Sequence, residues 1–270
     1  MIAIQENEFV TLANYIKKNY GINLTQKKSL IECRLSSVLV EKGFDNFGEY
    51  FDFVFADKTT NEMKKLITKI TTNHTYFMRE PAHFGFFKDK VIPEMVKLTN
   101  EKDLRIWSAG CSSGEEPYTL AMLLDEYFGK SKKLWDAKIL ATDISTKVLE
   151  HAKHGVYSQD QVEALDPRWK NKYFNIIDKE NLEVNKDIKA EVIFRSFNLM
   201  EENFPFKKKF HVIFCRNVMI YFDHETKIKL IRKFYEHTET GGYLFIGHSE
   251  SINRADSNYQ YVLPAVYRKE

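Results

Sequence analysis

The stretch from Asp103 to Phe128, DLRIWSAGCSSGEEPYTLAMLLDEYF, constrains this chain more than any other. A buried strand, a turn of small residues and an amphipathic helix follow one another there without a break. Leu104, Ile106 and Trp107 supply the apolar run, and Ser108 to Gly114 carry almost nothing but small side chains. Pro117 falls in the first helical turn, where its missing N–H costs nothing. Such a backbone approaches a ligand closely, and the succession is that of a nucleotide-type cofactor site.

The turn excludes two common ligands. A phosphate loop needs GxxxxGK followed by Ser or Thr, whereas Gly114 is followed by Glu115 and Glu116. The dinucleotide pattern GxGxxG also fails, because only Gly110 and Gly114 are present. Two carboxylates at a helix start suit the helix dipole but repel a pyrophosphate. S-adenosylmethionine, with its ammonium and sulfonium, fits better, and its ribose asks for an acid at the end of the next strand. AKILATD supplies Asp143 there. Asp143 can accept from both ribose hydroxyls, and it can equally cap the helix that begins ISTKVLEHAKHG.

At 270 residues, with 43% hydrophobic content, the chain can hold one large domain or two modest ones. Its apolar runs stop far short of the ~20 residues of a membrane span, and MIAIQENEF is not a signal peptide, so a cytoplasmic protein without membrane insertion is expected. Cys33, Cys111 and Cys215 are odd in number and widely spaced, which points to reduced thiols and to no metal site. A net charge of +2 is not that of a nucleic-acid binder, and nothing demands a dimer, so a monomer is expected. Locally, Lys17, Lys18, Lys27, Lys28 and Arg34 face only Glu32, which reads as a solvated helical face or as a docking surface for an acidic partner.

Residues 1–70 place apolar side chains at helical spacing, as in Phe9, Leu12 and Ile16, and read as a small all-helical domain. Residues 71–98 read as a linker and connecting helix. From 99 to 270 strands and helices alternate, the pattern of a parallel sheet with helices on both faces. YQYVLPAVYRK suits a β-hairpin closing one edge, and about 172–194 the alternation breaks into short strands, an inserted β-subdomain. His151 and His154 lack an HExxH context and read as surface residues.

Three further segments carry polar groups where a ligand can meet them. TTNHTYFMRE offers Asn73, Thr75 and Arg79, the last suited to pairing a carboxylate. FHVIFCRNVMIYFD ends a buried strand with Arg216 and Asn217, then Tyr221, where open α/β sheets bind ligands. Val218, Met219 and Ile220 read as core. RSFNLME ends another strand with Asn198 and Leu199, an amide for an adenine edge and an apolar side chain for its face.

TTNHTYFMRE, WSAGCSSGEEPYTLAM, ATDIS, FRSFNL, FCRNVMIYFD and GGYLFIGHSES occur in the order found in the CheR family, which this chain resembles over essentially its whole length. That family comprises the chemotaxis-receptor protein-glutamate O-methyltransferases. The resemblance implies a helical N-terminal domain, a Rossmann-like S-adenosylmethionine methyltransferase domain with a seven-stranded sheet, and an inserted antiparallel β-subdomain. It implies methyl transfer to receptor glutamates, with S-adenosylhomocysteine as product, and recruitment to membrane receptor arrays. It places Asn73, Thr75, Arg79, Glu115, Asp143, Asn198, Leu199, Arg216 and Asn217 around the cofactor, with Arg79 and Tyr221 near the transferred methyl. Sequence alone leaves open whether Glu115 or Glu116 meets the cofactor's amino group. Asn175 to Phe194 contain no glycine, unlike members tethered to a receptor pentapeptide. The chain therefore resembles the tether-independent kind, which meets the receptor's methylation helices directly, through the Lys17 to Arg34 patch.

Two other readings compete. A methyltransferase acting on nucleic acid or a small molecule is one, although an amino-methylating nucleic-acid enzyme carries an Asn/Asp-Pro-Pro-aromatic tetrapeptide where this chain has CRNVMIYF. A cofactor-binding signalling module without turnover is the other. Cys111 lies in the proposed cofactor turn, so cofactor is expected to shield it from alkylation.

Overall fold

The computed structural model describes residues 2–99 and 101–270. Four helices open the chain: α1 (Glu6–Tyr20), α2 (Lys28–Lys42), α3 (Phe47–Ala56) and α4 (Asn61–Ile70). Local chemistry sets their ends. Glu8 accepts the Gln5 N–H at 2.8 Å before α1, and Asn46 accepts the Glu49 N–H at 2.9 Å to start α3. Gly21 and Gly43 end α1 and α2 in the left-handed conformation that an L side chain resists. A linker leads to α5 (Pro81–Phe86), a π-helical turn (Phe87–Val91) and α6 (Ile92–Leu98).

The larger sheet has seven strands: β1 (Ile106–Ala109), β2 (Ile139–Asp143), β6 (Val192–Ser196), β7 (Phe210–Cys215), β8 (Thr238–Ile246), β9 (Gln260–Leu263) and β10 (Val266–Arg268). Their order is β6-β2-β1-β7-β8-β10-β9. β6, β2, β1, β7 and β8 run parallel, and the β9–β10 hairpin closes the edge antiparallel. Connecting helices are α7 (Glu115–Phe128), α8 (Thr146–His154) and α11 (His224–His237).

Alternation along the strands divides the core in two. Trp107, Ala109, Ile213, Cys215, Leu244 and Ile246 pack with α11 and with the buried residues of α1 to α4. Ile106, Ile139, Val212, Phe214 and Phe245 face the other way, toward α5, α6 and α7. The helical domain thus shares a core with one face of the sheet. Every β7 residue is buried, as a strand covered on both faces requires.

The small sheet has the order β3-β5-β4, from β3 (Val156–Ser158), β4 (Phe174–Ile176) and β5 (Asn181–Val184), all antiparallel. It starts earlier than the expected 172–194 insertion, because Val156–Ser158 joins it. Three residues after a helix-ending glycine are too few for a strand period to show. The 160–190 region also holds α9 (Pro167–Tyr173) and α10 (Lys186–Ala190).

The helical domain is joined to the sheet at close quarters. Ile22 bridges Phe222, the Asn23 N–H reaches the Tyr221 carbonyl at 2.8 Å, and Lys17 pairs with Asp223 at 2.7 Å. A Cβ on Gly21, already at φ +71°, would lie 2.6 Å from Met200 Sδ and 2.9 Å from Thr226 Cγ2. Gly21→Ala is therefore expected to destabilise the protein by about 1–3 kcal/mol in urea unfolding. A change below about 0.5 kcal/mol, the scale of an inert surface substitution, would contradict this close contact.

Candidate active site

Strand order reverses between β1 and β7: the chain leaves β1 for β2 and β6, then returns to β1's other side. A crevice opens at such a reversal, beyond the carboxyl ends of the strands. A cavity lies here, enclosing about 1030 Å³ counting its mouth. Gly110, Cys111 and Ser112 reach it from β1, Asp143 from β2, Asn198 and Leu199 from β6, and Arg216, Asn217 and Tyr221 from β7. Asn73, Thr75 and Arg79 enter from the linker, and Tyr20 and Ile22 close it from the helical domain.

The linker is pinned on several sides. Arg34 of α2 donates to the carbonyls of Ile70 and Thr71 at 2.9 and 3.0 Å and to Thr72 Oγ1 at 2.9 Å. Ser112 Oγ donates to the Asn73 carbonyl at 3.0 Å, and Tyr221 Oη to the Thr72 carbonyl at 3.0 Å. Met78, Glu80, Ser112 and Asn217 are non-glycine residues with positive φ, between 48° and 59°, in or beside this site. Backbone strain of this kind persists where the surroundings over-determine it, as functional sites do.

Asp143 accepts the Ser112 N–H through one carboxylate oxygen and the Ser145 N–H through the other, both at 2.9 Å. Each oxygen keeps a lone pair, which is what a ribose diol needs. The cap of α8 is Ser145, which releases Asp143 from that role. Burial pushes the Asp143 pKa up, against the two N–H groups.

Glu115 and Glu116 part company. Glu115 is 1% exposed, turns away from the cavity and accepts from Ser113 Oγ at 2.8 Å. Glu116 lines the cavity, accepting from Ser108 Oγ at 2.7 Å and from Arg216 Nη1 at 3.1 Å. The expected Glu115 is therefore not on the cavity wall and Glu116 is: the phase of α7, set by the turn before it, aims the second carboxylate inward. Burial raises the Glu116 pKa, with Arg216 opposing. The Arg216 side chain, 2% exposed, also meets Glu80 Oε2 at 3.0 Å and the Arg79 carbonyl. Glu80 is a residue that sequence reading missed.

Other residues carry smaller revisions. Asn198 spends its amide on the Asn19 carbonyl at 2.8 Å and the Met200 N–H at 3.0 Å, holding the helical domain. Leu199, Phe197 and Ile144 give the wall an apolar face fit for an adenine. Val218 lines the cavity, Met219 is core, and Ile220 is exposed. Cys111 faces the cavity, but it is buried and its thiol pKa is driven well up by that burial. Cys33 is the exposed cysteine, so alkylation of Cys111 is a poorer reporter than the turn alone implied. Arg79 donates from Nη1 to the His74 carbonyl at 2.7 Å, and among the described residues it forms no ion pair.

Residues 73–267 match the family described as "CheR methyltransferase, SAM binding domain", and residues 7–71 match "CheR methyltransferase, all-alpha domain". The chain belongs to the CheR methyltransferase family. It is 47% identical to the "Chemotaxis protein methyltransferase" of Borreliella burgdorferi over 99% of this chain and 96% of that one. It is 34% identical to the "Probable chemotaxis protein methyltransferase" of Rhizobium etli, covering 94% and 99%. The Escherichia coli "Chemotaxis protein methyltransferase" is 32% identical, covering 98% and 92%. This CheR-family chain is an S-adenosylmethionine-dependent methyltransferase, and the cavity's residues fit that cofactor. Its donor set has lone pairs for a diol, a carboxylate for an ammonium and an apolar wall for a base.

Raised pKa values at Asp143 and Glu116 place their protonation above the ordinary carboxylate range. A protonated carboxyl neither attracts an ammonium nor accepts as strongly from a diol. S-adenosylhomocysteine binding is therefore expected to weaken as pH falls from neutrality toward the ordinary aspartate pKa of about 4, with the loss beginning above it. An affinity that stays flat over that range in calorimetric titration would contradict the assignment.

Proposed function

We propose that this methyltransferase esterifies glutamate side chains on the cytoplasmic methylation helices of chemotaxis receptors, forming glutamate methyl esters in sensory adaptation. The observation that carries the reading is the cavity, which brings Arg79 and Tyr221 together with two carboxylates, Glu116 and Asp143, suited to a cationic cofactor. The relatives' names, chemotaxis protein methyltransferases, supply the receptor.

A receptor glutamate with a pKa of about 4.3 is ionised at neutral pH, so the site needs no general base. S-adenosylmethionine supplies a methyl on a sulfonium sulfur, which a carboxylate oxygen displaces to give ester and thioether. The protein's task is alignment and exclusion of water. Arg79 presents a guanidinium to the carboxylate, and Tyr221, fixed through Thr72, walls the same side. Near-attack positioning of this kind contributes up to ~7–11 kcal/mol. Asn73, Thr75, Asp143, Leu199, Arg216 and Asn217, with Glu116 in place of Glu115, hold the cofactor in this reading, and Asn198 lines the same cavity while tying it to the helical domain.

The receptor docks, in the same reading, on the basic face of α1 and α2. Lys17 is paired with Asp223, Lys28 with Glu6, and Arg34 is spent on the linker. Lys27, whose Nζ lies 5.1 Å from the Tyr221 ring centre, carries the patch to the cavity mouth. The β4–β5 turn is built on Asp178, which accepts the N–H groups of Glu180 and Asn181 at 2.8 and 2.9 Å, with no glycine. That turn supports recognition without a pentapeptide tether, by an enzyme acting as a monomer at receptor arrays.

The test is transfer of labelled methyl to receptor-containing membranes, with alkali lability of the product. Base-labile label on receptor helices is expected, and Arg79→Ala and Tyr221→Phe are each expected to lower turnover at saturating cofactor. About 10- to 100-fold is the scale for one charge-assisted contact at Arg79. Alkali-stable label on another substrate, or binding without transfer, would overturn the proposal.

A further inference from the structure

We propose that Glu80 is a positioning residue of the cofactor site, holding Arg216 and Asn217 so that Glu116 remains available to the cofactor's ammonium. This rests on the cavity reading above and deepens it. Glu80 does not line the cavity. It stands behind two residues that do, at the left-handed φ of +57° that ends the linker. One oxygen, Oε2, accepts from Arg216 Nη2 at 3.0 Å and Nε at 3.3 Å. The other accepts from Asn217 Nδ2 at 3.3 Å and from the His248 N–H at 3.1 Å. Linker, β7 and the loop after β8 thus meet on one carboxylate.

The consequence follows from how a guanidinium divides its donors. Nε and Nη2 go to Glu80, and Nη2 also reaches the Arg79 carbonyl, so only Nη1 reaches Glu116. Without Glu80, the two freed donors of a buried cation have Glu116 as their nearest remaining carboxylate. A two-bonded pair would form and cancel the negative charge that faces the cavity. Asn217 is held from the far side as well. Glu250 accepts its N–H at 3.0 Å, and a Cβ on Gly247 would sit 2.4 Å from its Nδ2. Glu80 therefore closes a clamp on Asn217 that the β8 loop begins.

Glu80 also groups with His83 and His248, side chains that can ligate a metal. Both Glu80 oxygens are already taken, and the Arg216 charge 3.0 Å away opposes a divalent cation. The cluster is better explained as the fixed backing of Arg216. His83, fully buried and with its pKa lowered to about 4 by burial and by Arg216, adds a neutral ring to that backing.

Calorimetric titration with S-adenosylhomocysteine tests this. Glu80→Gln keeps the shape and removes the charge, and is expected to weaken binding about 10- to 100-fold, the scale of one charge-assisted contact. Added to Arg216→Gln, the same change is expected to cost less than about threefold, because Glu80 acts through Arg216. Glu80→Asp, which keeps the charge with shorter reach, is expected to fall between wild type and Glu80→Gln, and serves alone if the latter does not fold. Wild type that binds while Glu80→Gln or Glu80→Asp binds equally well overturns the inference. So does full additivity with Arg216→Gln, which would mark a general structural role. Wild type that fails to bind overturns the cavity reading first.

Discussion

The site depends on the burial of one cation, the Arg216 side chain, between Glu80 and Glu116. Taking a guanidinium out of water is costly unless its donors find charged acceptors, and removing one partner of such a group costs about 3–5 kcal/mol. That requirement fixes three segments at once. The linker must deliver Glu80 and the Arg79 carbonyl, α7 must deliver Glu116, and β7 must end where Arg216 can reach all of them. Burial works against the charge of Glu80, yet Arg216 and the His248 N–H more than offset it, so its pKa falls below the usual range. At Glu116 burial outweighs the Arg216 contact, and its pKa shifts the other way. The two carboxylates are thereby given different tasks, one as a fixed anchor and one facing the cavity.

Around this cluster, closure comes from the helical domain. It shares a core with one face of the sheet, and it sends Tyr20 and Ile22 into the cavity wall. The cofactor wall and the proposed receptor face consequently belong to one packed unit. Lys17 and Asp223 join α1 to the start of α11, a few residues beyond Tyr221. A receptor segment that displaces Lys17 or contacts Lys27 would act directly on the side of the mouth where Tyr221 stands.

Much of this was legible in sequence, for identifiable reasons. The β1 strand, its small-residue turn and α7 announce themselves because strand burial and helical spacing are local patterns. Asp143, Asn198, Leu199, Arg216 and Asn217 can be placed on the cavity from sequence because each ends or follows an apolar strand, where parallel sheets leave polar ends exposed to ligands. Glu116 could not be told from Glu115, since the two differ only in helical phase and the turn from Gly110 to Gly114 sets that phase. Glu80 and Glu250 were invisible for another reason. Glu80 meets Arg216 across 136 residues, and Glu250 meets Asn217 across 33, and no local spacing encodes such pairs. β3 escaped because three residues show no period.

A crystal structure of the complex with S-adenosylhomocysteine tests the central claim most directly, namely where the cofactor lies and which carboxylates meet it. The account predicts ribose hydroxyls within about 3.2 Å of the Asp143 carboxylate and the amino group beside Glu116, with Arg216 still paired to Glu80. A ligand bound away from the carboxyl ends of β1, β2 and β7, or one whose amino group rests on Glu115, would contradict it.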